Sequence, residues 1–395
     1  MKKLLLLSVI CLMSIVATAY DFAAEVNGTT FYFNKLGYSK WGNEAVEITY
    51  ESLYAKGYDG DIVIPSQVSD DNKTYNVVQI GEKAFENCQI TGLTFPEASI
   101  LTIGDYAFAS CRKLRNVVVP ESVTSIGYQC FENSGSRGGE IEIRCNVENY
   151  AFINMNYAKV TIAENVKTFN YGSLSCSMDE WYIYSDAVTN NTFTRDRNLY
   201  LCSFFQDSGG NNISLLQKVV MGGNVKVIGN FAFIYLNSAA SRPILHTVEM
   251  EEGVTTIGQE AFSYQKCLGN VSIPSTVTAI GDQAFNVCDA MREIYIPENI
   301  EIPGFFVYSS CPNIKTIKAH SARGVFNIKR SVSDIIPQIE VYAYTQEIYD
   351  AYVNAGFQNV FLVGGNSSSI DEDVNHDGQV NSLDVLKVYK YMQSH

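Results

Sequence analysis

Histidine is scarce in this chain, with 4 residues among 395, and charged side chains make up only 18% of it. So few imidazoles leave little room for histidine-based catalysis or metal binding. The sequence contains no H-E-x-x-H, G-x-S-x-G, Walker A or G-x-G-x-x-G motif, so no common hydrolase, phosphate or dinucleotide site can be read from it. It has no C-x-x-C, which argues against a zinc ribbon or a redox pair. Basic residues are outnumbered 28 to 42, for a net charge of −14. Nucleic acid and anionic lipid are therefore poor partners, because phosphate contacts need clustered Lys and Arg. No apolar run is long enough to span a bilayer. What is abundant is apolar and aromatic: 46% hydrophobic residues, 25 Tyr and 21 Phe, enough for a large core and too much for a disordered chain.

The longest apolar run, Leu4 to Ile15, follows Lys2 and Lys3 and ends in Ala17-Thr18-Ala19. That order reads as a secretory signal peptide over residues 1–19, cleaved after Ala19. Cys11 follows Ile10, where a lipoprotein signal needs a small residue. Cleavage removes two lysines and takes the charge from −14 to −16. Nine cysteines remain, an odd number that cannot pair fully.

The body of the chain repeats itself. The phrase Ile-Gly-x-x-(Ala/Cys)-Phe begins at Ile80, Ile103, Ile126, Ile228, Ile257 and Ile280. Weaker copies read as Val147 to Phe152, Phe169 to Leu174 and Ile302 to Val307. Most intervals are 23 residues, a period that marks a solenoid. In the unit from Leu114, Val117 and Val119 face inward from a short strand and Val118 faces outward. Pro120 ends the strand, as Pro65, Pro96, Pro274 and Pro297 do in theirs. Gly127 reads as a tight corner and Phe131 as a layer filler.

The outward row then runs Thr94, Val118, Glu142, Thr161, Tyr182, Val220, Glu249, Ser272, Tyr295, Lys318, Glu340. The inward rows beside it are almost wholly apolar, so a one-residue slip would bury the polar row. The fold class expected is a leucine-rich repeat solenoid, mostly β with short helical or 3-10 and irregular return segments. It has about eleven coils and is roughly 50 Å long at about 4.8 Å per strand. A small C-terminal calcium-loop–helix tail follows. Cys88, Cys111 and Cys288 each stand eight residues after their unit's Ile and read as small buried packing residues, with Cys267 and Cys311 as slightly shifted copies.

The domains expected are the signal peptide, an N-terminal cap over 20–76, the solenoid over 77–343, and a C-terminal cap over 344–363. A Gly/Ser linker over 364–372 and a tail over 373–395 complete the chain. The cap holds a helix marked by Ile348, Tyr349, Tyr352 and Val353 and closed by Gly356. Residues 185–218 break the period; they read as a variant coil with a packed loop, or as a functional insertion beside the strand face.

The repeat phrase, with a proline after each strand, resembles the BspA-like bacterial leucine-rich repeat family over roughly residues 60 to 363. The resemblance implies an exported or surface-exposed protein that adheres to host proteins or to other cells. It supplies no ligand residues.

In the tail, Asp373, Asn375 and Asp377 alternate, Gly378 follows, and Asp384 comes eleven residues after Asp373. This matches the calcium-loop pattern, because Ca2+ takes six to eight oxygens and alternate residues of a tight loop point theirs inward. Gln379 contributes its backbone carbonyl and Asn381 acts directly or through water. The alternative is an acidic turn with no bound metal. The segment resembles one repeat of a type I dockerin, where such proteins have two. That resemblance implies a cohesin-like partner.

Together these features describe an exported, non-catalytic binding protein rather than an enzyme. Its solenoid face would recognise a protein or glycan on a host or cell surface, with no nucleic-acid partner and no membrane span. Tyr182, Tyr295, Glu142, Glu249 and Lys318 are the candidate contact residues. The alternative is a non-catalytic component of an extracellular polysaccharide-degrading assembly, tethered through the tail.

Calorimetric titration of Ca2+ into metal-free mature protein is expected to show binding at one site, and a version ending at Asn366 is expected to show none. Equal binding by the two would place the site outside the tail.

Overall fold

A computed structural model of the protein describes residues 20–37, 44–52, 57–147, 150–169, 174–189, 216–234 and 245–363. The signal peptide, the linker, the calcium loop with all its candidate ligands, and most of the 185–218 segment lie outside the described residues.

The chain forms a mostly β repeat solenoid with few helices. One face is a row of short parallel strands. Nine of them, from Asp59–Val63 to Asn270–Ser272, make one sheet, and four, from Glu293–Ile296 to Asn359–Leu362, make another. Asp59–Val63 is parallel to Gln89–Thr94, so the repeating face starts within the segment read as a cap. Ahead of it, Phe22–Val26, Thr29–Lys35 and Ala45–Thr49 cover the first coil; the first two are paired antiparallel, as are the second and third. At the other end Gln346–Asn354 is helical. The Thr345 hydroxyl accepts a hydrogen bond from the Ile348 amide at 3.3 Å, a cap that satisfies one of the helix's open donors. Gly356 follows with φ +94°, the left-handed turn that ends such helices.

The inward rows are buried as their alternation dictates: Val117, Ile141, Val160, Trp181 and Val219 on one side, and Val119, Ile143, Ile162 and Met221 on the other. Register along the face follows the expected pairing from Val118 to Ser272 and again from Tyr295 to Lys318. The last coil differs. Lys318 lies opposite Tyr342, and Ile317 opposite Val341, so Tyr342 rather than Glu340 continues the outward row. A two-residue shift keeps the inward–outward alternation, so the apolar pattern alone does not detect it.

The Ile-Gly phrase makes a second ladder. Thr102–Ile103 pairs in parallel with Ser125–Ile126, and Val227–Ile228, Thr256–Ile257, Ala279–Ile280 and Ile302–Pro303 form a four-stranded counterpart. Ile302 pairs with Ala279 and Pro303 with Ile280, so the weak copy starts at Pro303, one residue later than its sequence suggests. Tyr308 then takes the Phe place, and Cys311 falls in true register with Cys288, its sulfur 3.4 Å from the Cys288 amide.

The glycine of the phrase is not a corner of unusual φ. It is a point of close backbone approach between coils. A Cβ on Gly104 would lie 2.6 Å from the Glu82 nitrogen of the preceding coil, and one on Gly127 would overlap the Asp105 nitrogen. Beyond it most of the described turns use two left-handed residues, as at Tyr106 and Ser110 (φ 55° and 59°) or Gln283 and Val287 (φ 56° and 58°). Such backbone costs about 1 kcal/mol or more in a non-glycine residue. It is offset here because the turns donate straight to the next coil: Phe85 N to Ala107 O and Phe108 N to Cys130 O, both 2.8 Å.

Inside this ladder runs an aromatic spine. Phe85, Phe108, Phe131 and Phe152 stack in turn at 5.1, 5.0 and 5.2 Å between ring centroids. Phe233, Phe262, Phe285 and Tyr308 do the same at 5.2, 5.4 and 5.6 Å. These spacings match the roughly 5 Å rise between coils, so each ring sits in the contact range of its neighbours. The described cysteines are free thiols, and Cys111 and Cys311 direct their sulfurs to the carbonyls of Phe85 and Phe285 at 3.0 and 3.1 Å. Burial pushes the Cys145 and Cys176 thiols up to about 12, so they are inert neutral packing groups.

Phe108 is fully buried in the middle of a stack. Phe108→Ala is expected to cost about 3–5 kcal/mol by chemical denaturation. A loss below about 1 kcal/mol would remove the ring from the spine.

Candidate functional site

Strand alternation sets three outward columns on the long face: the row itself and the positions two residues before and after it. Their contents decide what the surface can do.

The candidate residues separate into three groups. Glu142 is held by Arg144 in a bidentate pair, Nε to Oε1 at 2.8 Å and Nη2 to Oε2 at 3.0 Å. Tyr182 and Glu249 join through lysines of neighbouring strands. Lys159 Nζ lies 4.7 Å from the centre of the Tyr182 ring and 3.3 Å from Glu140. Lys218 Nζ lies 6.0 Å from the same ring and 2.9 Å from Glu249. The Tyr182 hydroxyl donates to Glu180 at 2.9 Å. Burial, then the Glu180 carboxylate, hold this phenol above its ordinary pKa, so it stays a neutral donor. Val220, in the row between Tyr182 and Glu249, is buried despite its outward position.

Tyr295 and Lys318 are cross-strand partners in the C-terminal sheet. Lys318 is nearly buried and meets Glu293 at 3.0 Å, its stem lying along the sheet. Tyr295 opens an aromatic run: its ring is 5.0 Å from His320, which stacks on Tyr344 at 3.8 Å. Tyr342 stacks on Phe361 at 5.4 Å and donates its hydroxyl to Glu340 at 2.9 Å. Alternation alone does not single out His320, and a row ending at Glu340 leaves out Tyr342 and Tyr344. Both belong to the outward columns, and the two-residue shift in the last coil hides them.

Glu142 thus stands apart from the Tyr182–Glu249 group, and Tyr295 with Lys318 forms a third. The arrangement offers ring edges, phenolic hydroxyls and paired charges at the spacing of the strands. It does not gather a nucleophile and a base. Among the described residues, no group of three or more His, Cys, Asp or Glu stands ready to hold a metal ion. Where the two sheets meet, Asn270–Ser272 and Glu293–Ile296 are not paired, and a cavity of about 550 Å³ opens there. Glu249, Asn270, Arg292 and Glu293 line it.

A family model described as the BspA type leucine rich repeat region matches residues 78–200 and 234–332, in six copies. No curated protein matches the chain. Among solved structures, the pneumococcal vaccine antigen PcpA is 16% identical and aligns over 87% of this chain and 99% of its own, with a TM-score of 0.32. A leucine rich cell surface protein from Faecalibacterium prausnitzii is 17% identical over 88% of this chain and 96% of its own, with a TM-score of 0.29. A leucine-rich repeat protein from Bacteroides ovatus is 16% identical over 82% of this chain and all of its own (100%), with a TM-score of 0.28. No helix among the described residues is long and apolar enough to cross a membrane.

Burial holds the His320 imidazole below its ordinary pKa of 6.5; Glu298 opposes the shift and Lys318 adds to it. The unfolded chain therefore takes up this proton first as pH falls, and the native state loses stability from about 6.5 down to the folded pKa. Chemical-shift titration of His320 is expected to give a midpoint below 6.5. A midpoint at or above 6.5 would place the ring in free solvent, outside the stack.

Proposed function

The chain belongs to the BspA type leucine-rich repeat family, and from that membership we propose that it is an exported, non-catalytic binding protein of the bacterial surface or surroundings. Its parallel strand face recognises a protein or glycan in an adhesion-type role.

The observation that supports this reading is the composition of the outward columns. Tyr182 is flanked by two lysines, and Tyr295, His320 and Tyr344 form a run of rings, on strands fixed in register. Tyrosines on a rigid frame give contact area and hydrogen bonds at small entropic cost. The tail motif supports a second part of the proposal. Asp373, Asn375, Asp377, Gln379, Asn381 and Asp384 would hold one Ca2+ through side-chain and backbone oxygens. A calcium-ordered tail of this kind suits docking to a cohesin-like partner, and the protein would then act as a recognition component of an extracellular polysaccharide-degrading assembly.

Full-length protein applied to arrays of host extracellular proteins and of glycans is expected to bind a ligand. Tyr182→Ala with Tyr295→Ala is expected to weaken that binding about tenfold or more, the effect of losing buried aromatic anchors. Unchanged affinity in the double variant would remove the strand row from the binding surface.

A further inference from the structure

Several cations on the strand face are paired. Arg144 meets Glu142, Lys159 meets Glu140, Lys218 meets Glu249 and Lys318 meets Glu293. One corner gathers four that are not. Arg112, Lys113, Arg115 and Arg137 are all exposed, lie within two successive coils, and form no ion pair among the described residues.

Two of them border a cavity of about 560 Å³ that runs across the second halves of Asp59–Val63 and Gln89–Thr94 to the start of Asn116–Val119. The ladder is irregular there. The first pair shifts register between Gly60 and Asp61, and the second is reduced to Gly92 with Asn116 and Leu93 with Val117. Gly92 keeps the floor open, since a Cβ on it would lie 2.7 Å from the Asp61 carboxylate. That carboxylate accepts from the Thr91 hydroxyl at 2.6 Å and is held in place as an acceptor. Lys113 and Arg115 line the cavity with Thr94, Asn116 and Ser136.

We propose that this cavity binds an anionic oligosaccharide, one carrying sulfate or uronate groups. The cations supply charge-assisted donors for the anionic group. The hydroxyls, the amide and the Asp61 carboxylate complement sugar hydroxyls. The half-exposed Val63 and the backbone around Gly92 offer a flat surface to the sugar ring. An acidic peptide fits less well, because Asp61 would face its carboxylates and no aromatic pocket receives its side chains. The cavity around Arg292 is the internal contrast: it has similar volume, but Glu249 and Glu293 line it too. The inference is separate from the Tyr182–Tyr295 row and does not need that row to bind anything.

The test is calorimetric titration of the full chain with a heparin-derived hexasaccharide and with an oligogalacturonate. A neutral cello-oligosaccharide and a polyglutamate peptide serve as comparators. At least one anionic sugar is expected to bind, and to bind more weakly as salt rises from about 50 to about 200 mM. Lys113→Ala with Arg115→Ala is expected to weaken it about tenfold or more, while Arg292→Ala leaves it unchanged. Circular dichroism checks that the double variant folds, and Arg115→Gln alone replaces it if it does not. Four results would overturn the proposal: no binding of either anionic sugar, equal binding of the neutral one, equal or tighter binding of polyglutamate, or a Lys113/Arg115 variant that binds as before.

Discussion

Coils in this protein pass within touching distance of one another at the Ile-Gly step, and the remaining packing is arranged around that approach. The missing side chain at Gly104 brings its backbone against Glu82 of the coil before it. Once two coils are that close, their turns can hydrogen-bond directly, as Phe85 does to Ala107, and the phenylalanine rings four residues after each glycine meet face to face. The left-handed conformations at Tyr106 and Ser110 follow from the same demand, because they aim the turn's amides along the stacking direction. Asp105 adds a side-chain tie at the same level, accepting from the Tyr128 amide at 2.7 Å; Asn230 and Asp282 repeat it. Removing the glycine's freedom to approach would therefore disturb backbone bonds, turn conformation and ring stacking together.

A frame held this way leaves the strand face free to vary. The ion pairs on it are partly exposed, and pairs of that kind contribute little to stability. Their value lies in placement. Lys159 and Lys218 hold the Tyr182 ring between two strands, and Glu293 holds Lys318 against the sheet beside Tyr295. The face can change its chemistry from one coil to the next while the glycines and phenylalanines behind it stay the same.

Much of this was legible in the sequence because two independent signals agreed. The period of 23 set the coils, and the inward–outward alternation set the face of each strand. What escaped was information those signals do not contain. A two-residue shift in the last coil preserves alternation, so Glu340 stood where Tyr342 belongs. The run Ile302-Pro303-Gly304 offers an Ile one place too early, and only the pairing of Pro303 with Ile280 settles which residue holds the ladder. The glycine's role was read as a corner because a repeat motif shows that a glycine is needed, not whether its φ or its missing Cβ is the reason. Nothing in the sequence ties His320 to Tyr295 and Tyr344, which are 25 and 24 residues away and become its neighbours only through stacking.

Net charge has a similar blind spot. A total of −14 speaks for the field well outside the molecule, where it disfavours a long polyanion. Within a binding cavity the relevant range is shorter, because at physiological salt charges separated by more than about 8 Å are largely screened. Over that range Lys113 and Arg115 count for more than acidic residues on distant coils, and among the described residues they form no ion pair. The two scales act on different events. Overall negative charge slows the approach of an anionic chain, while a local cluster of unpaired cations stabilises the short anionic segment that reaches it. A solenoid is suited to this separation, because each coil adds its own residues to the face and a short stretch of the array can carry a sign of charge opposite to the whole.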